Sequence, residues 1–358
     1  MLIISQKIDK MDPILGFFHN WLLQIAPHFE NISVICLERG EYALPSNVKV
    51  YSLGKENAKS KIKYIYNFYK LLFQLNQGYD RVFVHMNQEY ALLAGLYWWL
   101  KSKKVYFWRN HPKGGLLTRI AVSFSHKVFC TSKDAYTAKF YKTKLMPVGI
   151  DTDLFNISDS HFASSKNNDA SRDKSNYRIP NSILSLGRLS PIKNIHVLIG
   201  ALKLLAQRNT NFIADIIGNP VNPEDTQYVQ KLESDAQSLI QGGLLSFLPS
   251  VNQEGAATAY KTHKVFVNLT PRGSMDKTVL EAAACGCIPL VRNGVFDEIN
   301  KDLQIDSEGI EEIALKLQNL LDLPEESIQK LGNELRNFVV EKHSLRALID
   351  VLVKELND

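Results

Sequence analysis

The chain has 358 residues, 45% of them hydrophobic and 22% charged, enough for two domains with separate cores and typical of an ordinary globular protein. No run approaches the ~20 uninterrupted apolar residues that cross a bilayer, and the start, MLIISQKIDKMDP, has no basic n-region, so neither a membrane span nor a signal peptide is expected and the cytoplasm is the default compartment. The net charge of +5 is uneven: residues 1–155 carry 21 Lys/Arg against 11 Asp/Glu, the remainder 21 against 26, so the first half is the one expected to meet something anionic, whether a nucleic acid, a membrane surface or a phosphate-linked acceptor.

Taken in order, the first half alternates β-rich runs with helical patterns. The strand candidates are Leu2–Ser5, Ser33–Leu37, Val48–Leu53, Arg81–Val84, Lys104–Trp108 and Lys127–Thr131. Between them, Ile62, Ile65, Tyr66, Tyr69, Leu72 and Phe73 recur at three- and four-residue intervals, which gathers them on one face of a helix. Residues 156–178 (NISDSHFASSKNNDASRDKSNYR) are rich in Ser, Asn and Asp and cannot bury a core. The alternation then restarts with Ser182–Leu186, Phe212–Ile217, Leu244–Leu248, Lys264–Leu269 and Ile288–Arg292. Leu345, Leu348, Ile349, Leu352 and Val353 mark a last helix, whose packing partner the sequence leaves open. Strands alternating with helices imply parallel sheets covered on both faces. The expected division is a first domain over 1–155, a linker over 156–180, a second domain over 181–344 and a terminal helix over 345–358.

Four cysteines are too few for a disulfide-stapled fold. Cys36 and Cys130 sit in strand-like runs, while Cys285 and Cys287 bracket Gly286 without zinc-like spacing, so buried reduced thiols are expected.

Two segments carry chemistry. In SILSLGRLSPIKN a buried strand ends at Gly187, followed by Arg188 and then Lys193. In an open α/β sheet, ligands sit outside the carboxyl ends of the strands, so these two cations can converge on a diphosphate. Their bland alternative is two exposed loop residues. In PRGSMDKTVLEAAACGCIP a Gly/Ser loop leads into a helix that ends at Gly286, with small residues Ala282–Ala284 along it. The helix start offers free N–H groups to an anion, and Glu281 can accept hydrogen bonds from a ribose diol. The alternative for Glu281 is an ordinary helix-surface charge.

Together these segments resemble the retaining glycosyltransferases of family 4, which have the GT-B architecture: α/β, two Rossmann-like domains facing each other across a cleft. Gly187-Arg188 to Lys193 matches the family's G-R-x-x-x-x-K segment. Leu280-Glu281-Ala282-Ala283-Ala284-Cys285-Gly286 matches its L-E-A-x-A-C-G core, and Gly149-Ile150-Asp151 to Phe155 looks like its crossing between domains. The resemblance implies metal-independent transfer of a sugar from a nucleotide diphosphate to a glycan or lipid-linked acceptor, with retained configuration and no cofactor, in surface polysaccharide or glycolipid synthesis. It gives Arg188 and Lys193 the departing diphosphate and Glu281 the ribose. Where the family carries another Glu, eight residues before Glu281, this chain has Gly273. Asp276 and Lys277 can replace that contact or meet a different sugar, and the backbone amides of Ser274, Met275, Asp276 and Lys277 can still approach the donor. Gly16, with Asp12, matches the family's Gly-containing loop after the first strand. His111 takes the role of a His near the donor sugar, with His85 its competitor.

Lys55, Lys59, Lys61 and Lys63 precede or open the helix at 62–73, and Lys101, Lys103 and Lys104 follow Trp98 and Trp99. Basic residues beside aromatics suit a peripheral anionic membrane surface; solvated faces with core-facing tryptophans are the competing reading. The alternative functions are a sugar-nucleotide epimerase of similar architecture and a non-catalytic nucleotide- or RNA-binding module. No aromatic-basic RNA motif is visible on the strands, so no nucleic acid partner is expected.

Overall fold

A computed structural model describes residues 1–57, 60–157, 178–272, 276–296, 300–306 and 309–358. The chain divides into two units, one made of Met1–Gly149 with Leu345–Asp358, the other of Ile150–Ser344. The division falls between Gly149 and Ile150, whereas the sequence placed it after Phe155. The reason is local: Phe155 is fully buried, its ring 6.1 Å from that of Tyr260, so the crossing segment belongs to the second unit's core. Most of the expected linker lies outside the described residues.

Seven strands build the first unit's sheet: β1 (Leu2–Ile8), β2 (Ile32–Arg39), β3 (Val48–Ser52), β4 (Arg81–His85), β5 (Lys104–Trp108), β6 (Lys127–Cys130) and β7 (Thr143–Leu145). Helices α1 (Phe17–Ile25), α2 (Lys61–Gln74), α3 (Gln88–Leu100) and α4 (Leu116–Phe124) connect them. The strand order is β3-β2-β1-β4-β5-β6-β7, parallel throughout, so the chain reverses its direction across the sheet between β1 and β4. β1 runs past its apolar start because Lys7 pairs in register with Glu38 of β2, their charged ends 3.0 Å apart. β7 was not foreseen: three residues reading TKL form an edge strand with no apolar run to announce it.

The second unit has β8 (Ser182–Leu186), α5 (Ile195–Gln207), β9 (Ile213–Ile217), α6 (Pro223–Asp235), α7 (Gln237–Gln241), β10 (Leu245–Leu248), α8 (Gln253–Thr262), β11 (Val265–Asn268), α9 (Lys277–Ala284), β12 (Ile288–Val291), α10 (Ile310–Asp322) and α11 (Glu325–His343). Its order, β10-β9-β8-β11-β12, is also parallel, with the reversal between β8 and β11. The last helix is α12 (Leu345–Asn357).

Alternation along the strands decides what each face of the first sheet buries. Leu2, Ile4, Val82 and Val84 face α2, α3 and α4 through Phe68, Leu72, Ala91, Trp98 and Ala121. Ile3, Phe83 and Tyr106 face the opposite layer, where Phe18, Trp21 and Leu22 of α1 meet Leu345, Leu348 and Leu352 of α12. The buried carboxylate of Glu355 on α12 accepts hydrogen bonds from Lys127 and, at 2.6 Å, from Lys144. The partner that the sequence left open for the last helix is therefore α1 and the first sheet.

α2 differs from its expected packing. Of the residues its spacing gathers, Leu72 is buried and Tyr69 packs against the core, joined there by Phe68, while Ile62, Ile65, Tyr66 and Phe73 are exposed. Among the described residues no helix is long and apolar enough to cross a membrane.

Candidate active site

In the second unit the neighbouring strands β8 and β11 lead in opposite directions across the sheet, and this reversal opens a crevice at their carboxyl ends. The apolar run of β8 stops at Gly187, whose φ of 144° favours glycine. Gly218, just after β9, has φ 159°, and a Cβ there would lie 1.9 Å from the Gly187 carbonyl oxygen. The two loops can therefore touch backbone to backbone, with the Gly187 N–H donating to the Ile217 carbonyl at 3.0 Å. The chain then makes a single 3-10 turn, Pro191–Lys193, and passes through Asn194, in the left-handed conformation, into α5. The Asn194 side-chain amide donates to the Leu269 carbonyl at 3.2 Å and ties this turn to the end of β11. Gly187, Arg188, Lys193, Asn268 and Leu269 consequently line one small pocket.

The two cations of that pocket are in different states. Arg188 is exposed and makes no hydrogen bond or ion pair among the described residues. Lys193 is ion-paired with Asp276, at the start of α9. Asp276 also accepts from Asn268 at 2.8 Å and from Thr278 at 2.9 Å, with Thr270 at 3.4 Å. Burial alone would raise the Asp276 carboxyl; the charge and hydrogen bond of Lys193, with Asn268 and Thr278, overcome it and hold the group at about 2. Asp276, offered by the sequence as a sugar contact, thus has its carboxylate committed to anchoring Lys193.

One turn into α9, Lys277 and Glu281 form an i,i+4 pair at 3.5 Å. Glu281 is buried; burial pushes its carboxyl up, the Lys277 ammonium opposes this, and the nearby Asp276 charge adds to it. Lys277 is pushed down by burial against the pull of Glu281. Glu281 is therefore not a charge on an exposed helix face. Gly273, Ser274 and Met275 lie outside the described residues.

Gly16 and His111 belong to the first unit. Gly16 precedes α1, where a Cβ would lie 2.6 Å from the Asp12 carbonyl oxygen. The Asp12 carboxylate accepts from the backbone of Ile14 and Leu15 at 2.9 and 2.8 Å and pairs with Lys7 at 2.8 Å, so it shapes the loop. His111 is exposed; its Nδ1 accepts from the Lys113 backbone N–H at 3.0 Å, and its Nε2 has no bond among the described residues. His85 is fully inside the core, stacked 4.1 Å from the Phe18 ring, and burial lowers its pKa to about 3, so it stays neutral at physiological pH.

Sequence reasoning missed Gly218, Asn268 and Thr278. Gly218 carried the same signal as Gly187, a glycine ending an apolar strand. Asn268 is the one polar residue of VFVN, at the strand's carboxyl end. Among the described residues no group of three or more His, Cys, Asp or Glu side chains is arranged to hold a metal ion.

The crevice, its glycine turn and its two cations lie at the strand-order reversal of a doubly wound α/β unit. Residues 167–338 match the model of the glycosyl transferases group 1, so this part of the chain is similar to a glycosyltransferase domain. Its fold is GT-B, as in three solved structures. Anabaena HepE in complex with UDP-glucose has 15% identity and a TM-score of 0.73, with 100% of this chain and 99% of that one covered. Sucrose-phosphate synthase from Thermosynechococcus elongatus has 14% identity and a TM-score of 0.74, with 100% and 98% covered. WaaG, a glycosyltransferase involved in lipopolysaccharide biosynthesis, has 14% identity and a TM-score of 0.67, with 99% of each chain covered. No curated protein sequence matches the chain.

Proposed function

We propose that the second unit binds a nucleotide-diphosphate sugar and that the enzyme transfers the sugar, with retained anomeric configuration and without a metal, to a glycan or lipid-linked acceptor in surface polysaccharide or glycolipid synthesis. The observation that carries this reading is Arg188: an exposed cation with no partner among the described residues, at the carboxyl end of β8, beside a lysine held in place by Asp276. When the bond between the anomeric carbon and the diphosphate oxygen breaks, the electron pair stays on that oxygen. Fixed cations already in position stabilise this charge without reorganising. The acceptor hydroxyl forms the new bond to carbon and releases its proton. In this reading Arg188 and Lys193 face the diphosphate, Glu281 the ribose, and Gly187 with the backbone of Ser274, Met275, Asp276 and Lys277 the phosphates and sugar. The family resemblance adds Gly16 and His111 to the same donor.

A panel of uridine-, guanosine- and adenosine-diphosphate sugars tests the reading by thermal shift. A true donor at about 100 times its dissociation constant adds about 2.7 kcal/mol of stability. Arg188→Ala is expected to slow release of nucleoside diphosphate by at least ~10²-fold, the scale of losing one transition-state stabiliser, without altering the unliganded melting temperature. No shift with any nucleotide, or turnover unaffected by Arg188→Ala, would sink it.

A further inference from the structure

The outer surface of the α2–α3–α4 layer is apolar where packing does not require it. α2 buries Phe68 and Leu72 against the sheet, yet exposes Ile62, Ile65, Tyr66 and Phe73 along the flank of that face, with Ile62 at 81% exposure. Their spacing of three, four and seven residues sets them in one stripe. α3 repeats the pattern. Ala91, Ala94 and Trp98 face the core, while Leu96, Trp99 and Leu100 face outward, Trp99 at 65% exposure. The stripes adjoin, since the Phe73 ring lies 5.3 Å from that of Tyr97 and the Tyr69 hydroxyl donates to the Leu93 carbonyl at 2.8 Å. Leu116 and Leu117 of α4, which packs on α3, are exposed as well.

The charge on the same layer has one sign. Within the three helices, Lys61, Lys63, Lys70 and Arg119 stand against one carboxylate, Glu89, and none of these four cations has an ion pair among the described residues. Of the other lysines singled out in the sequence, Lys55 pairs with Glu38 at 3.0 Å, Lys103 donates to the carbonyls of Asn76 and Tyr79, Lys104 donates to the carbonyl of Asp358, and Lys59 lies outside the described residues.

We infer that the outer face of α2 and α3 docks on an anionic lipid surface, with Ile62, Tyr66, Phe73, Leu96, Trp99 and Leu100 in the headgroup–acyl boundary and the lysines of α2 at the phosphates. Two physical arguments select lipid over protein. A second copy of this face would set cations against cations. The exposed residues are also those of a bilayer interface, aromatic rings with a polar edge and flexible lysine stems beside projecting aliphatics. The inference rests on the first unit alone and goes beyond the proposed reaction, so it stands or falls separately from it.

Co-sedimentation of the full chain with phosphatidylglycerol vesicles, against phosphatidylcholine vesicles and at low and high salt, tests it. Binding is expected to phosphatidylglycerol, weakened by salt, with a blue shift of fluorescence that Trp99→Phe abolishes. Changing Lys61, Lys63 and Lys70 together to Gln is expected to weaken binding about 10²-fold, from the ~1 kcal/mol that each lysine contributes near an anionic surface. Because these side chains are exposed, circular dichroism should stay native; Tyr66→Ser with Trp99→Ser, which leaves the charge intact, is a second disruption independent of the first. Absence of binding to phosphatidylglycerol at low salt overturns the inference. So do folded variants that bind as the parent does, or a concentration-dependent dimer that the same substitutions dissolve while vesicles bind neither form.

Discussion

Asp276 shows how one carboxylate divides the work of two cations. Lys193 balances its charge against Asp276, so it is held in place at the cost of net charge, while Arg188 is exposed and has no ion pair among the described residues. The Asp276 carboxyl, at about 2 in the fold, lies below its ordinary value near 3.8, so its contribution is present above about pH 4 and is lost as pH falls through 2. Asp276→Asn is therefore expected to lower stability at pH 7 by about 1–3 kcal/mol, since Lys193 loses its counter-charge and the amide offers one acceptor oxygen in place of two. The same variant should lose less than the parent between pH 4 and 2. Urea unfolding of both proteins at the three pH values checks this, and equal sensitivity to acid would count against the pair. The sequence offered Asp276 for its charge, but its partner, 83 residues away, was not legible. The contest between His85 and His111 was likewise undecided by residue type. The fold separates them because β4 carries its last side chain into the ring stack of Phe18, whereas His111 lies beyond the end of β5.

At the scale of elements, α9 owes its place to small residues. Ala282, Ala283 and Ala284 are fully buried, and across from them a Cβ on Gly332 of α11 would meet the Gly286 carbonyl oxygen at 3.1 Å and its Cα at 3.3 Å. Arg336, one helical turn further along α11, donates to the Ala284 carbonyl at 2.7 Å and the Phe155 carbonyl at 3.0 Å. Gly332→Val forces this contact apart and is expected to cost about 1–3 kcal/mol in chemical denaturation, the usual penalty of overpacking. It should also weaken any donor bound through Lys277 and Glu281, because both ride on α9. Isothermal titration of the variant measures that second effect, and native affinity would show that α9 keeps its position without the close approach. The run of alanines before Gly286 announced this packing in the sequence. Its counterpart Gly332 did not, being one glycine within a polar helix. α2 failed in the opposite way: its 3.6-residue period was evident, yet periodicity alone does not say how much of a wide apolar face the sheet will cover.

Over the whole molecule, the two parallel sheets were legible because every strand but β7 contains a short β-rich run. What no local pattern could reveal is that the last helix returns to the first unit, since its leucines would suit either core. A chain stopped after Ser344 exposes the face that Leu345, Leu348, Ile349, Leu352 and Leu356 cover, and it leaves Lys127 and Lys144 without the Glu355 carboxylate. That truncation is expected to leave the Ile150–Ser344 unit folded while the first unit aggregates, a difference that limited proteolysis with mass spectrometry would resolve. A protease-resistant first unit in the shortened chain would contradict it.

On the ribosome this arrangement makes the order of synthesis and the order of completion run opposite ways. The N-terminal sheet is translated first, but the layer that α1 begins to cover lacks α12 until roughly 200 further residues have been added, about 10–40 s at common elongation rates. Throughout that interval Ile3, Phe83 and Tyr106 border an unfinished wall. The nascent polypeptide is then a natural client for a holding chaperone, released only when its last helix emerges.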